Sequence, residues 1–171
     1  NWNTEIGILN FLPGGAHNVA NDKTKHLVRK WVPRVLRATA PRNSTNMDWI
    51  VFRVAELYLN YAEALNEYYE TPPKEAFDAV LKVRERSGMP GFPSTLNKKQ
   101  FREKLRRERA VELAYEDHRF WDIRRWLIAD DEGVMKGAMY GLQLSAVTGA
   151  PGKVHYKPYV FENRLWSDRS Y

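Results

Sequence analysis

The stretch "RRERAVELAYEDHRFWDIRRW", Arg106 to Trp126, sets arginines around Glu108, Glu112, Glu116, Asp117 and Asp122, with aromatic rings between them. Three chemistries draw on such side chains. Glu108 and Glu112, four residues apart on a helix, can approach as the acid and base of a glycoside-processing enzyme do. His118 and Asp122 share that spacing and are two of the ligands that a metal site would need. The arginines are phosphate-binding groups.

Each chemistry meets an objection in the residues themselves. Neighbouring arginines hold carboxylate pKa values down, whereas a general acid needs a raised one. No third ligand converges on His118 and Asp122, so a capping or surface histidine is the economical reading. The acids on the same helix would repel phosphate. The formal net charge of +6 comes from interleaved charges without a long run of one sign. The cleanest basic excess lies early, at Lys23, Lys25, Arg29, Lys30, Arg34, Arg37 and Arg42. With no cysteine, a disulfide framework, a thiolate metal site and a cysteine nucleophile are all excluded. The residues assign no catalytic group, no metal, no cofactor and no nucleic-acid partner.

What remains is a structural reading. At 100° per residue, the helix through this stretch centres its apolar face near Leu105, beside Phe101 and Tyr115. Glu108, Glu112 and Glu116 fall on that face, and Arg107 and Ala114 fall opposite. A carboxylate desolvated without a partner costs several kcal/mol. The preceding helix carries the matching anomaly, because Arg84 sits among Ala76, Phe77, Val80 and Leu81. Arginine keeps its proton, and its planar fork fits a carboxylate. The reading predicts an ion-pair network in which Arg84 meets Glu108 or Glu112, and Arg119, Arg124 and Arg125 close the other side after the chain turns at Asp117.

The elements that must position these groups follow from periodicity. Val54, Leu57, Tyr58, Tyr61, Leu65 and Tyr68 recur at three- and four-residue steps and predict a helix over 50–70. Its apolar arc extends to Ala55, Ala62 and Ala64, which predicts packing on two sides. "TPP" at 71–73 opens a second helix, 73–87, with Thr71 as N-cap and Gly88 at its C′ position. Asn97 and Gln100 form a capping-box pattern for a third helix, 97–117. "RFWDIRRWLIA" is a short fourth, with Trp121 and Trp126 assigned to the core. The flanks read differently: "HLVRKWVPR" suggests one strand, and "YGLQLSAV" and "VHYKPYVF" suggest two more joined at "TGAPGK". "RVAEL" at 53–57 and "RAVEL" at 109–113 are alike, but their offset is not the period of a tetratricopeptide array. The expectation is one mainly α domain over 1–171. It has a loop- and strand-rich segment at 1–48, an antiparallel αα-hairpin scaffold at 49–128, and loop with minor β at 129–171.

In that order, "FRVAELYLNYAEALNE", "VRERSGMPGFP" and "RRERAVELAYEDHRFWDIRRW" resemble the C-terminal part of the SusD/RagB family of outer-membrane nutrient-binding lipoproteins. The resemblance covers about residues 49 to 128. It implies a helical scaffold related to tetratricopeptide folds and a non-catalytic protein that captures an oligosaccharide or polysaccharide at the cell surface. It also implies a TonB-dependent transporter as partner and an anchor through an N-terminal lipid. The lipidation cysteine, the N-terminal helical repeats and the Pro-rich C-terminal segment of the family are not found in this sequence, so a C-terminal fragment is expected. The alternatives are a domain that docks on the transporter with little ligand binding of its own, and a glycoside-processing enzyme. If the chain touches sugar, exposed rings in loops should do so, and Trp2 and Trp49 are the candidates by context.

Overall fold

The computed structural model describes Lys30 and residues 50–131, 133–148 and 154–164. The strand expected at "HLVRKWVPR", and both Trp2 and Trp49, lie outside the described residues. The chain divides into two compact units, one of them Trp49–Arg125 and the other Asn1–Asp48 with Trp126–Tyr171.

The helical unit holds α1 (Val54–Tyr68), α2 (Lys74–Glu85), α3 (Lys98–Glu112) and α4 (His118–Arg125). The link at 69–73 is short enough to make α1 and α2 antiparallel neighbours, and α1 packs against both α2 and α3. Their shared core joins Leu59 and Ala62 with Ala76, Ala79, Val80 and Val83, and with Phe101, Leu105 and Leu113. Phe101 is fully buried, with the Phe77 and Phe92 rings edge-on at 4.9 and 5.7 Å. Burial of such a ring contributes about 1.5–3 kcal/mol.

The helix ends show which local signals decided the fold. Asn97 Oδ1 accepts from the Gln100 N–H at 2.9 Å, and Gln100 Oε1 accepts from the Asn97 N–H at 3.1 Å, completing the capping box. Gly88 takes φ +70 past the end of α2, and the Met89 N–H reaches back to the Arg84 carbonyl at 3.1 Å. That six-residue closure is how a left-handed C′ glycine stops a helix. The start of α2 differs from the expectation. Its N-cap is Pro73, in extended conformation and without a side-chain cap bond, rather than Thr71. Pro73 keeps the residue before it out of the helical region, so Pro72 cannot be the first helical residue.

Three further expectations are corrected. The third helix ends at Glu112, not 117, because Tyr115 and Asp117 adopt φ +63 and +65 and break the helical phase. Tyr115 is consequently exposed rather than beside Leu105 on the apolar face. Trp121 is 65% exposed, whereas Trp126 is only 9% exposed. Most of the α1 apolar stripe points outward, with Val54, Leu57, Tyr58, Tyr61 and Tyr68 exposed; Leu65 and Ala55 do pack against the core, which Leu59 and Ala62 enter.

In the second unit, β1 (Gly137–Ala146) pairs antiparallel with β2 (Val154–Arg164) as a two-stranded ribbon, with Leu142 opposite Pro158 and Leu144 opposite Tyr156. The register slips between Met139 and Tyr140, where Phe161 is the extra residue of a bulge. Pro158 has no N–H to donate, which a strand with a single neighbour tolerates.

Candidate functional site

The charged cluster of the helical unit is assembled from all four helices and the segment before α1. Arg84, on the core side of α2, donates from one terminal nitrogen to Glu108 of α3 and from Nε to the Pro90 carbonyl at 2.7 Å. Its guanidinium lies 5.2 Å from the Phe92 ring centre, so the fork is held on three sides. The arginine side chain is 19% exposed and the glutamate 9%. Both partners are therefore largely withdrawn from water.

Glu112 and Glu116 are gripped from another direction. Arg53, just before α1, donates from Nε to Glu116 at 2.7 Å, and from its terminal nitrogens to the Glu112 carboxylate and backbone carbonyl, each at 2.6 Å. Burial alone would lower the Arg53 pKa, but its hydrogen bonds to Glu116 and Glu112 more than reverse this, so the guanidinium is held charged. Arg86 adds contacts of 3.0 and 3.1 Å to the two oxygens of Glu112.

A second knot surrounds Arg109, which is buried to 5% exposure. It donates from Nε to Asp122 of α4 at 2.7 Å and from a terminal nitrogen to the Asn60 side-chain oxygen at 2.6 Å. Another terminal nitrogen lies 3.9 Å from Glu56, whose other oxygen is 3.5 Å from His118 Nε2. Arg125 grips Glu63 through two bonds of 2.5 and 3.0 Å and touches Asp122 at 3.2 Å. Its pKa is raised, chiefly by its hydrogen bond to Glu63. Arg102 grips Glu67 in the same two-pronged way, at 2.6 and 2.5 Å, which lowers the Glu67 pKa.

The structure thus brings Arg84 to Glu108, while Glu112 goes to Arg53 and Arg86. Arg119 is exposed and makes no ion pair among the described residues, and Arg124 stacks over the Phe120 ring at 3.4 Å. Of the arginines expected to close the other side, Arg125 does so, joined by Arg53 and Arg109. Arg119 and Arg125 lie on different faces of α4, so the helix that aims Arg125 at Glu63 turns Arg119 to water. One signal for Arg53 and Arg109 was in the sequence. "RVAEL" and "RAVEL" each place a glutamate three residues after an arginine, and the two segments pair reciprocally, Arg53 with Glu112 and Arg109 with Glu56.

Chemically, this arrangement holds helices together. The carboxylate oxygens of Glu108, Glu112 and Asp122 face guanidinium groups. His118 and Asp122 point to different partners, Glu56 and Arg109. Among the described residues, no group of three or more metal-ligating side chains is placed to hold an ion.

A model of the SusD family matches residues 5–164. The chain belongs to the SusD family. It is 40% identical over 95 residues to a SusD-like protein, P25, from Formosa agariphila, a match covering 54% of this chain and 18% of that one. A crystal structure of a SusD-like protein from Bacteroides fragilis superposes with a TM-score of 0.58 at 32% identity, over 70% of this chain and 21% of the other. A SusD homolog from Bacteroides thetaiotaomicron is 38% identical over 50% of this chain and 19% of its own, with a TM-score of 0.46. The SusD-like fold is carried by the Bacteroides fragilis superposition. The chain spans about a fifth of the length of these relatives. Family motif and geometry meet at one place, since the "RRERAVELAYEDHRFWDIRRW" segment supplies Glu108, Arg109, Glu112, Glu116, Asp122 and Arg125 to the network.

Proposed function

We propose that the chain is a non-catalytic glycan-binding component of a SusCD-like outer-membrane nutrient-uptake system. It presents an oligosaccharide or polysaccharide to a TonB-dependent transporter from the cell-surface side, anchored through a lipid at the N-terminus of the whole protein. Membership of the SusD family carries this reading. The site geometry supports it, because Glu108 and Glu112, the pair weighed as acid and base of a glycosidase, are both bound by arginine. No described helix is long and apolar enough to cross a membrane, which is compatible with attachment by a lipid. Trp2 and Trp49 remain the proposed loop contacts to sugar.

Titration calorimetry against soluble glycans should give a dissociation constant in the high micromolar to millimolar range, about −4 to −6 kcal/mol. Reducing-sugar release should stay at background. Turnover that disappears in Glu112→Gln would overturn the reading in favour of a glycoside-processing enzyme. The second reading, a domain that docks on the transporter, is favoured by the outward apolar stripe of α1. Retention of the transporter by a chain that binds no glycan would select it.

A further inference from the structure

The β1–β2 ribbon is amphipathic, and both of its faces meet water. Directly opposed residues of an antiparallel pair share a face. The register therefore places Tyr140, Leu142, Leu144 and Ala146 of β1 with Val160, Pro158 and Tyr156 of β2 on one side. Gln143, Ser145, His155 and Lys157 lie on the other. On the apolar side Tyr140 is 64% exposed, Tyr156 72% and Val160 48%, with Leu142 and Leu144 half-buried between them. A two-stranded ribbon is marginal by itself, so a wet apolar face of this kind is costly unless something occupies it.

From this face we infer a docking platform for a short neutral saccharide chain, with Tyr140 and Tyr156 as its stacking rings; the inference rests on the glycan-binding reading above. Charge narrows the occupant. No residue of the face is charged, His155 and Lys157 point away, and Glu162 and Arg164, beyond the bulge, pair with each other at 3.1 Å. An anionic polymer finds no counter-charge here, and a membrane surface would need cations beside the apolar residues. Area narrows it further. Ten residues of β1 run about 34 Å and the two strands present a width of about 10 Å, a footprint of roughly 340 Å². A stable protein interface takes about 800 Å² per partner, so a second copy held by this face alone falls short.

Spacing suits a linear sugar. Tyr156 stands opposite Leu144, four positions from Tyr140, which separates the rings by about 14 Å along the ribbon. The Leu142–Pro158 pair forms an apolar floor between them. The C–H face of a pyranose packs on a phenol ring while its hydroxyls stay in water or reach the tyrosine oxygens. The bulge at Met139/Tyr140 bends the ribbon where the first ring sits.

The test is calorimetry of the chain against soluble neutral glucan, xylan and mannan, with polygalacturonate as the anionic control. The variants are Tyr140→Ile and Tyr156→Ile, which keep strand propensity and apolar bulk but remove the flat ring. Amide spectra of the ribbon report that it still forms. Each substitution should weaken binding of a neutral glycan about two- to tenfold, and Lys157→Ala on the opposite face should leave it unchanged. Undiminished binding in both tyrosine variants overturns the platform and leaves the glycan-binding reading standing. Failure of the unaltered chain to bind any neutral glycan overturns both. Preference for polygalacturonate, or a dimer in sedimentation that either tyrosine variant abolishes, also overturns the platform.

Discussion

The helical unit turns apolar side chains outward along α1 and brings arginines and carboxylates in, whereas the ribbon has no second layer among its described residues and exposes one apolar face. Both surfaces are wet, yet the consequences differ. In α1 the inward face is chosen by partners: Leu59 and Ala62 meet the core, and Glu56 and Glu63 beside them are captured by Arg109 and Arg125. Among its described residues the ribbon has no comparable cluster to set its inside and outside. The comparison shows that an apolar stripe does not by itself decide burial. Where charged groups must be desolvated, the geometry that satisfies them fixes which stripe goes in.

The largest effect expected from this difference is in native-state amide exchange. Core amides of α1 and α3 should exchange only through global opening, and ribbon amides through local opening, about a thousandfold faster or more. Equal protection would break the comparison. Next comes Arg109→Ala, which takes from the buried Asp122 the closer of its two arginines and leaves Asn60 without its donor, and should cost about 3–5 kcal/mol in chemical denaturation. Arg84→Ala should cost about 2–4 kcal/mol, being less buried, and a loss under about 1 kcal/mol would class the pair with surface bridges. Arg84→Lys should recover only part, because a point charge cannot serve Glu108 and the Pro90 carbonyl together. Arg119→Ala should stay within about 0.5 kcal/mol.

The smallest effect is on acid stability. The hydrogen bond from Arg102 lowers the Glu67 pKa in the folded state. Its contribution is therefore complete above the unfolded value of about 4.3 and is lost as pH falls below that through the folded value. Glu67→Gln should flatten that part of an acid titration followed by circular dichroism. The effect is small because both side chains remain partly in water.

Much of the scaffold was legible. Three-and-four periodicity, a capping-box pair and a glycine after α2 located the helices, and Arg84 among apolar neighbours pointed across to α3. The two strand segments were legible from alternation between turn signals. What was not legible turned on two things. The left-handed residues Tyr115 and Asp117 leave no mark in the periodicity, so the third helix was carried past Glu112. And α1 offers two apolar faces, between which periodicity alone does not choose. The Arg53–Glu112 and Arg109–Glu56 pairs lie more than fifty residues apart in sequence, and only the faint "RVAEL"/"RAVEL" likeness hinted at them.

The turn between α3 and α4 has a further consequence. Tyr115 and Asp117 are left-handed and exposed, and Glu116 between them is buried against Arg53. That alternation works as a key cut to one length. Inserting or deleting a single residue between 113 and 117 would rotate Glu116 away from Arg53 and carry Asp122 off Arg109, undoing two locks at once. The exposed turn at Ser94 and Thr95, which carries neither, should absorb the same change in length. A library of one-residue insertions across the unit should therefore show a sharp intolerant point at 113–117 and a permissive one at 94–95, just before α3 begins.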